Sequence, residues 1–263
     1  MIGSLPSKAN KLDKQKHYAD SLFTAEHYYE AITEYKRLLF FDENEIYNYE
    51  ANYKIGLCYK SGAKFNDAIK YFKISLQNCS NNKSITKLKT QIVRVNILRR
   101  TIPEALLLLS ELESTSIEPD SIIYWRGWAF MMHGDWDLAA TEFEKISINH
   151  PLKVLSDSVH SAQYSVQLAK IMSHIIPGSG QFYTGNYLSG TLSLAWNGLW
   201  GYLTINAFVT DRAVEGILMG SLLWTRFYRG NFQNAHDFSI DKNIEISNNA
   251  YRYLSTKYIG EKP

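Results

Sequence analysis

Phe65-Asn66-Asp67-Ala68-Ile69-Lys70-Tyr71-Phe72 decides the fold, because the chain carries the same pattern four times. The other copies are Tyr28 to Tyr35, Ile102 to Leu109 and Trp136 to Phe143. Each has a bulky apolar residue, an alanine three residues on, and a large apolar residue four further along. The alanines are Ala31, Ala68, Ala105 and Ala139, spaced 37, 37 and 34 residues apart. Repetition at this period marks stacked helical units, none of which can bury its apolar face alone. Twelve residues before the alanines lie Ala19, Gly56, Val93 and Gly127, three of them small. Antiparallel helices approach closely only where side chains are small, so each of these positions is expected to mark a helix crossing. Gly134-Asp135 supplies turn formers between the two helices of the fourth copy.

With the alanine spacing and the small residues together, residues 12–150 resemble four tetratricopeptide repeats. The second and fourth copies carry the resemblance best, as Gly56…Tyr59…Ala68…Phe72 and Gly127…Phe130…Ala139…Phe143. The third departs, with Val93 at the small position. The resemblance implies an all-α solenoid whose concave groove holds an extended or helical segment of a protein partner. The groove residues it implies, from the first helix of each pair, are Lys16, Tyr53, Leu57, Arg94, Tyr124, Trp128 and Met131. Packing between repeats is the alternative role for each. The Lys/Asn/Arg constellation that grips a C-terminal carboxylate in some members is not matched, since Tyr53 and Tyr124 stand at such positions.

Composition divides the chain near residue 150. Residues 1–150 hold 19 basic and 19 acidic side chains, whereas residues 151–263 hold 9 and 7. The whole net charge of +2 therefore lies in the second part, and it offers no general electrostatic attraction for nucleic acid or anionic lipid. Between Lys170 and Asp211 no side chain is formally charged. The mean hydropathy of −0.26 averages two unlike regions. Two cysteines, Cys58 and Cys79, exclude a disulfide scaffold and a four-cysteine zinc site.

Residues 151–176 read as an amphipathic linker helix, with Leu155, Val159, Ala162, Val166, Ala169, Met172 and Ile176 on one face. Proline stops it at Pro177. The turn that follows contains Pro177, Gly178, Gly180, Gln181, Tyr183 and Gly185. Tyr187 to Thr210 is then uncharged, long enough for a membrane-spanning helix but diluted by Asn197 and Asn206. The return segment from Ala213 to Tyr228 is short for a span and carries Gly216-x-x-x-Gly220, the small-residue spacing of close helix contacts. Residues 177–242 are thus expected to form a glycine turn and apolar helical hairpin, membrane-associated, followed by a polar C-terminal tail at 243–263. A soluble, glycine-packed helical hairpin docked on the repeats is the alternative.

The run Pro177-Gly178-x-Gly180-Gln181-x-Tyr183-x-Gly185, with Phe227-Tyr228-Arg229-Gly230-Asn231…Ala235, is similar to a bacterial family that joins such repeats to a C-terminal hydrophobic domain. The similarity covers most of residues 18–242. It implies a bacterial inner-membrane setting and a partner in membrane protein biogenesis. Family members begin with a secretory signal, whereas Met1–Asp20 is charged and has no apolar core. Either a signal is missing from this sequence or the repeats face the cytoplasm, and the flanking charges Lys153, Lys170, Arg226 and Arg229 leave the side open.

Catalytic patterns fail on inspection. Gly180-x4-Gly185 is followed by Asn186-Tyr187 instead of Lys-Ser/Thr, and Gly178-x-Gly180 by Tyr183 instead of glycine, so neither phosphate loop nor dinucleotide fingerprint is present. The seven histidines show no ligand spacing, and Ser179 lacks the Gly-x-Ser-x-Gly elbow. No enzyme, cofactor, metal or small-molecule substrate is expected. The reading is a non-catalytic adaptor that binds a protein through its repeats and is tethered to the membrane by the hairpin. Two alternatives stand beside it: a soluble scaffold whose hairpin is an oligomer or partner interface, and a structural component of an envelope assembly machine.

Overall fold

A computed structural model describes residues 8–114 and 119–263, and every regular element among them is helical. Four helix pairs make up the repeats: α1 (Lys8–Thr24) with α2 (Tyr28–Phe41), α3 (Asn48–Ser61) with α4 (Phe65–Gln77), α5 (Asn82–Leu98) with α6 (Ile102–Glu113), and α7 (Pro119–His133) with α8 (Trp136–Ile146). Then come α9 (Pro151–Ala162), α10 (Val166–Ile175), the single turn α11 (Ser179–Tyr183) and α12 (Tyr187–Val209). The last helical stretch consists of α13 (Ala213–Leu218), a π-helical segment Met219–Trp224 and α14 (Thr225–Thr256). The chain forms two compact units, one running to Ser156 and including Glu261–Pro263, the other comprising Asp157–Gly260.

In the repeat unit the four alanines and Ala19 are fully buried. The crossings are made differently from a small-on-small contact. A methyl built on Gly56 would come within 2.6 Å of the Phe72 ring, and one on Gly127 within 2.6 Å of Phe143. The bare α-carbon thus receives the aromatic ring that lies four residues after the alanine. Tyr35 occupies the equivalent place in the first pair and Leu109 in the third, each about 1 % exposed. The alanine lets the backbones close, and the ring fills the hole opposite it.

The turn between paired helices is the same in all four repeats. Glu26, Ala63, Arg100 and Gly134 each take a left-handed conformation, with φ of 62°, 54°, 60° and 104°. The amide after each bonds back to the carbonyl five residues earlier: His27 to Leu22, Lys64 to Tyr59, Thr101 to Asn96, Asp135 to Phe130. This is the 6→1 closure that ends helices at a left-handed residue. Three of the four turns place a side chain where glycine is preferred, so the register is held by packing rather than by turn composition.

The second unit departs from the expected organisation in three ways. The linker at 151–176 is two helices, α9 and α10. Tyr164 leaves the helical ladder because its amide donates to Asn243 Oδ1 (2.7 Å) and its carbonyl accepts from Asn243 Nδ2 (2.9 Å), after which Ser165 caps α10 through Leu168 N. The polar residues from 243 do not form a tail, since α14 continues to Thr256 with Ala250 and Leu254 buried on one face. Finally, no helix among the described residues is long and apolar enough to cross a membrane. The transmembrane expectation for Tyr187–Thr210 is corrected accordingly: asparagine, serine, threonine and glycine dilute α12 too far.

The hairpin of α12 and the return segment is close-packed. A methyl on Gly216 would lie 2.9 Å from Phe208, and one on Gly220 3.1 Å from Thr204. Asp211 turns the chain with φ 59°, and Arg212 N bonds Ala207 O, repeating the closure seen between paired helices.

Gly56→Ala is expected to lower the stability of the repeat unit by about 1–3 kcal/mol, because the added carbon must displace the Phe72 ring. Gly62→Ala, whose nearest neighbour would be 3.5 Å away, serves as the control. Equal urea midpoints for the two variants would refute the ring-in-hole account.

Candidate functional site

The first helices of neighbouring repeats bring Arg94 of α5 and Tyr124 of α7 onto one short segment of the same unit. Arg94 Nη1 donates to Glu261 Oε1 (2.6 Å) and Nη2 to the Lys262 carbonyl (2.6 Å), while the Tyr124 hydroxyl donates to the Glu261 carbonyl. Two successive carbonyls and one carboxylate are thus held by two side chains. Arg94 is held in place by its guanidinium lying 4.7 Å from the Trp125 ring centroid, a cation–π contact. Tyr124 packs edge-on against Trp125, Phe143 and His150. Phe143 and His150 stack in parallel at 5.1 Å, and burial lowers the His150 pKa.

A second cation stands beside Arg94. Lys60, at the end of α3, reaches Gln91 Oε1 at 3.4 Å. Its pKa falls to about 8, first because burial disfavours the ammonium, then because Arg94 repels it, with Glu261 acting in the opposite sense. The segment Glu261–Lys262 therefore brings a carboxylate to a place where two positive charges crowd each other. Arg94 Nε is buried and donates to no protein acceptor.

The other residues expected on the groove fall in different surroundings. Tyr53 is half-buried, stacked parallel to Tyr49 and tilted against Phe72, with Lys87 Nζ 4.6 Å over its ring. Leu57, also half-buried, packs on the cluster of Ala68, Phe72, Leu88, Ile92 and Val95. Lys16 is neutralised by Asp20 at 2.9 Å and Glu50 at 3.0 Å, and it ties the first repeat to the second. Burial opposes its charge, but those two hydrogen bonds raise its pKa overall. Trp128 is nearly buried and Met131 wholly so, which places both in the packing of α7.

The glycine turn of the second unit is organised by a residue outside the expected set. Asn231 of α14 accepts on Oδ1 from Gly178 N (2.7 Å), Ser193 Oγ (2.8 Å) and Gln181 Nε2 (3.2 Å). Its Nδ2 donates to the Ser173 carbonyl (2.6 Å), and its own carbonyl accepts from Gln181 Nε2 (2.8 Å). Ser173 Oγ donates to Gln181 Oε1 and accepts from Gly180 N. Every one of these groups but Ser193 is buried. Gly178 has φ 94° and lies against the Gly190 carbonyl, where a methyl would come within 2.3 Å. Gly180 is as tightly placed, against Ala169 O and Ala235. Tyr183 accepts from Ser165 N and meets Tyr164 edge-on, Pro177 follows the extended residue Ile176 that ends α10, and Gly185 turns the chain into α12 with φ 79°. The spacing pointed to these glycines; Asn231 was visible only as part of a motif.

Among the described residues no three His, Cys, Asp or Glu groups come together as a metal site. Burial pushes the Cys58 thiol up to about 12, which keeps it protonated and a poor nucleophile. Cys58 and Cys79 are both free.

The tetratricopeptide repeat family model matches residues 50–82 and 122–152. These ranges cover all but the first few residues of the second and fourth helix pairs, so the chain carries tetratricopeptide repeats, and the first and third pairs share their turn geometry. Neither curated proteins nor solved structures provided a match.

Asn231→Ala should cost the second unit about 3 kcal/mol or more, since it leaves several buried donors and acceptors unpaired. Asn234→Ala, on the exposed side of α14, should change little. Similar melting temperatures for the two would remove Asn231 from its central role.

Proposed function

We propose that the protein is a non-catalytic adaptor that holds an extended segment of a protein partner on the face made by the first helices of its repeats. The observation that carries this reading is the Arg94–Tyr124 pair, whose donors take two successive main-chain carbonyls and a carboxylate. Main-chain contacts give affinity for any extended chain, and the neighbouring side-chain pockets select among them. Half-buried Tyr53 and Leu57 of α3, the first helix of the preceding repeat, would extend the contact. A photo-crosslinking residue in place of Tyr53 or Leu57 in the full chain should give one discrete adduct, identified by mass spectrometry. The same residue at the exposed Tyr29 of α2 should not. Indistinguishable adducts at all three positions would count against a groove.

A second role belongs to the hairpin, which we propose as a tether lying in the surface of a bilayer rather than crossing it. What favours it is the number of exposed apolar side chains on both helices of the hairpin. Leu192, Trp196, Tyr202, Ile205 and Val209 of α12 are exposed, as are Val214, Ile217 and Leu222 on the return. Large exposed apolar patches mark interaction surfaces, and interfacial helices bury such faces at the headgroup boundary. The chain should float with vesicles of phosphatidylethanolamine and phosphatidylglycerol, and Ile205→Glu with Val209→Glu should leave it at the bottom of the gradient. A wild-type chain that stays at the bottom and dimerises with increasing concentration would assign the face to a second copy instead.

A further inference from the structure

Glu261 and Lys262 lie 167 and 168 residues from Arg94 in sequence, yet they are part of the repeat unit and occupy the donors on which a partner is proposed to bind. We infer that the segment Glu261–Lys262 is a built-in occupant of the repeat groove, and that the partner is an extended acidic segment that must displace it.

Three observations carry this. The contacts to Glu261–Lys262 are those of peptide recognition: a carboxylate on Arg94 Nη1, and successive carbonyls on the Tyr124 hydroxyl and Arg94 Nη2. Only one of the three reads a side chain, and it reads a carboxylate. A competing segment needs a Glu or Asp there and little else in common with residues 261–262.

The charge balance selects the same chemistry. Arg94 opposes the positive charge of Lys60, and the carboxylate of Glu261 offsets that repulsion. An empty groove leaves two adjacent, partly buried cations without that anion, so the site favours being filled by an acidic chain over standing open. A segment with no carboxylate at that place would not relieve the repulsion.

The occupant is also held loosely enough to leave. The Glu261 side chain is 61 % exposed while that of Arg94 is 17 % exposed, so the ion pair is anchored on one side only. Arg94 Nε remains buried without an acceptor, a donor that a second acidic oxygen could satisfy. A tethered segment works at an effective concentration in the millimolar range, which lets even weak contacts keep the groove covered until a better-fitting segment arrives.

This inference rests on the groove reading above, but the two can fail separately. The probe is a labelled, amidated peptide of residues 257–263, titrated into the full-length chain by fluorescence anisotropy. Glu261→Ala in the protein frees the groove, so the peptide should bind that chain at least about ten-fold more tightly than the wild type. Adding Arg94→Ala should abolish the gain, and a peptide carrying Glu261→Ala should bind neither chain. The peptide substitution needs no altered protein and so is independent of any folding defect. In addition, the Lys60 ammonium followed by NMR should titrate lower in the Glu261→Ala chain and recover when the peptide is added. Equal affinity for wild type and Glu261→Ala, binding that ignores Arg94, or no binding with an unmoved Lys60 titration would each overturn the inference. Groove crosslinks from Tyr53 or Leu57 that persist alongside any of these results would leave the adaptor reading standing.

Discussion

A bare α-carbon beneath an aromatic ring sets the spacing of the helices on which the rest of the repeat unit depends. At Gly56 and Gly127 the rings of Phe72 and Phe143 occupy the volume that any side chain would need. Once the two helices of a pair are held at that distance, the alanine on the second helix is buried and the connection must turn within a few residues. It does so through one left-handed residue, even where that residue is Glu26, Ala63 or Arg100. Such a conformation costs about 1–3 kcal/mol for a residue with a side chain, so the burial of the apolar faces of each pair must outweigh it. Repetition of the helix pair lays the first helices α5 and α7 side by side. That is why Arg94 and Tyr124, from successive repeats, reach one short segment of chain.

The second unit meets the constraint of close approach with glycine and then adds a polar lock. Gly178 against Gly190, Gly180 against Ala169 and Ala235, and Gly216 against Phe208 bring backbones nearer than side chains would permit. Tight contact buries peptide groups, and buried peptide groups need partners. Asn231, Gln181 and Ser173 supply them, each both donating and accepting within one connected set. A network of this kind tolerates few alternative arrangements, so it specifies how α10, α11, α12 and α14 meet. The outward side of the same hairpin is apolar and exposed. A rigid polar interior beneath an apolar exterior suits an element that presents a surface to something else.

The two proposed surfaces differ in physical character. The proposed groove is cationic and occupied by residues 261–262, so selectivity there comes from electrostatics and main-chain contacts. The exposed large side chains of α12 are apolar and uncharged, so association of the hairpin would rest on the removal of apolar area from water.

The sequence by itself determined the repeat register, the all-helical class, the stop at Pro177 and the glycines at which backbones approach. These are properties of spacing, and helical spacing is written into the positions of small and large residues. It also singled out Arg94 and Tyr124 among candidates that it could not rank against Trp128 and Met131, because a helix without a clean polar face does not reveal which side is covered. Tertiary structure alone decided that Gly56 receives Phe72 rather than Ala68, that Asn243 interrupts the helix at Tyr164, and that the polar stretch after residue 242 stays helical to Thr256. It alone placed Asn231 at the centre of the glycine turn and Glu261 on Arg94. The contacts of Gly56, Asn243, Asn231 and Glu261 join partners from 16 to 167 residues apart. Local periodicity reports which face of a helix is apolar; only the assembled fold decides what that face, or a lone polar side chain, will meet.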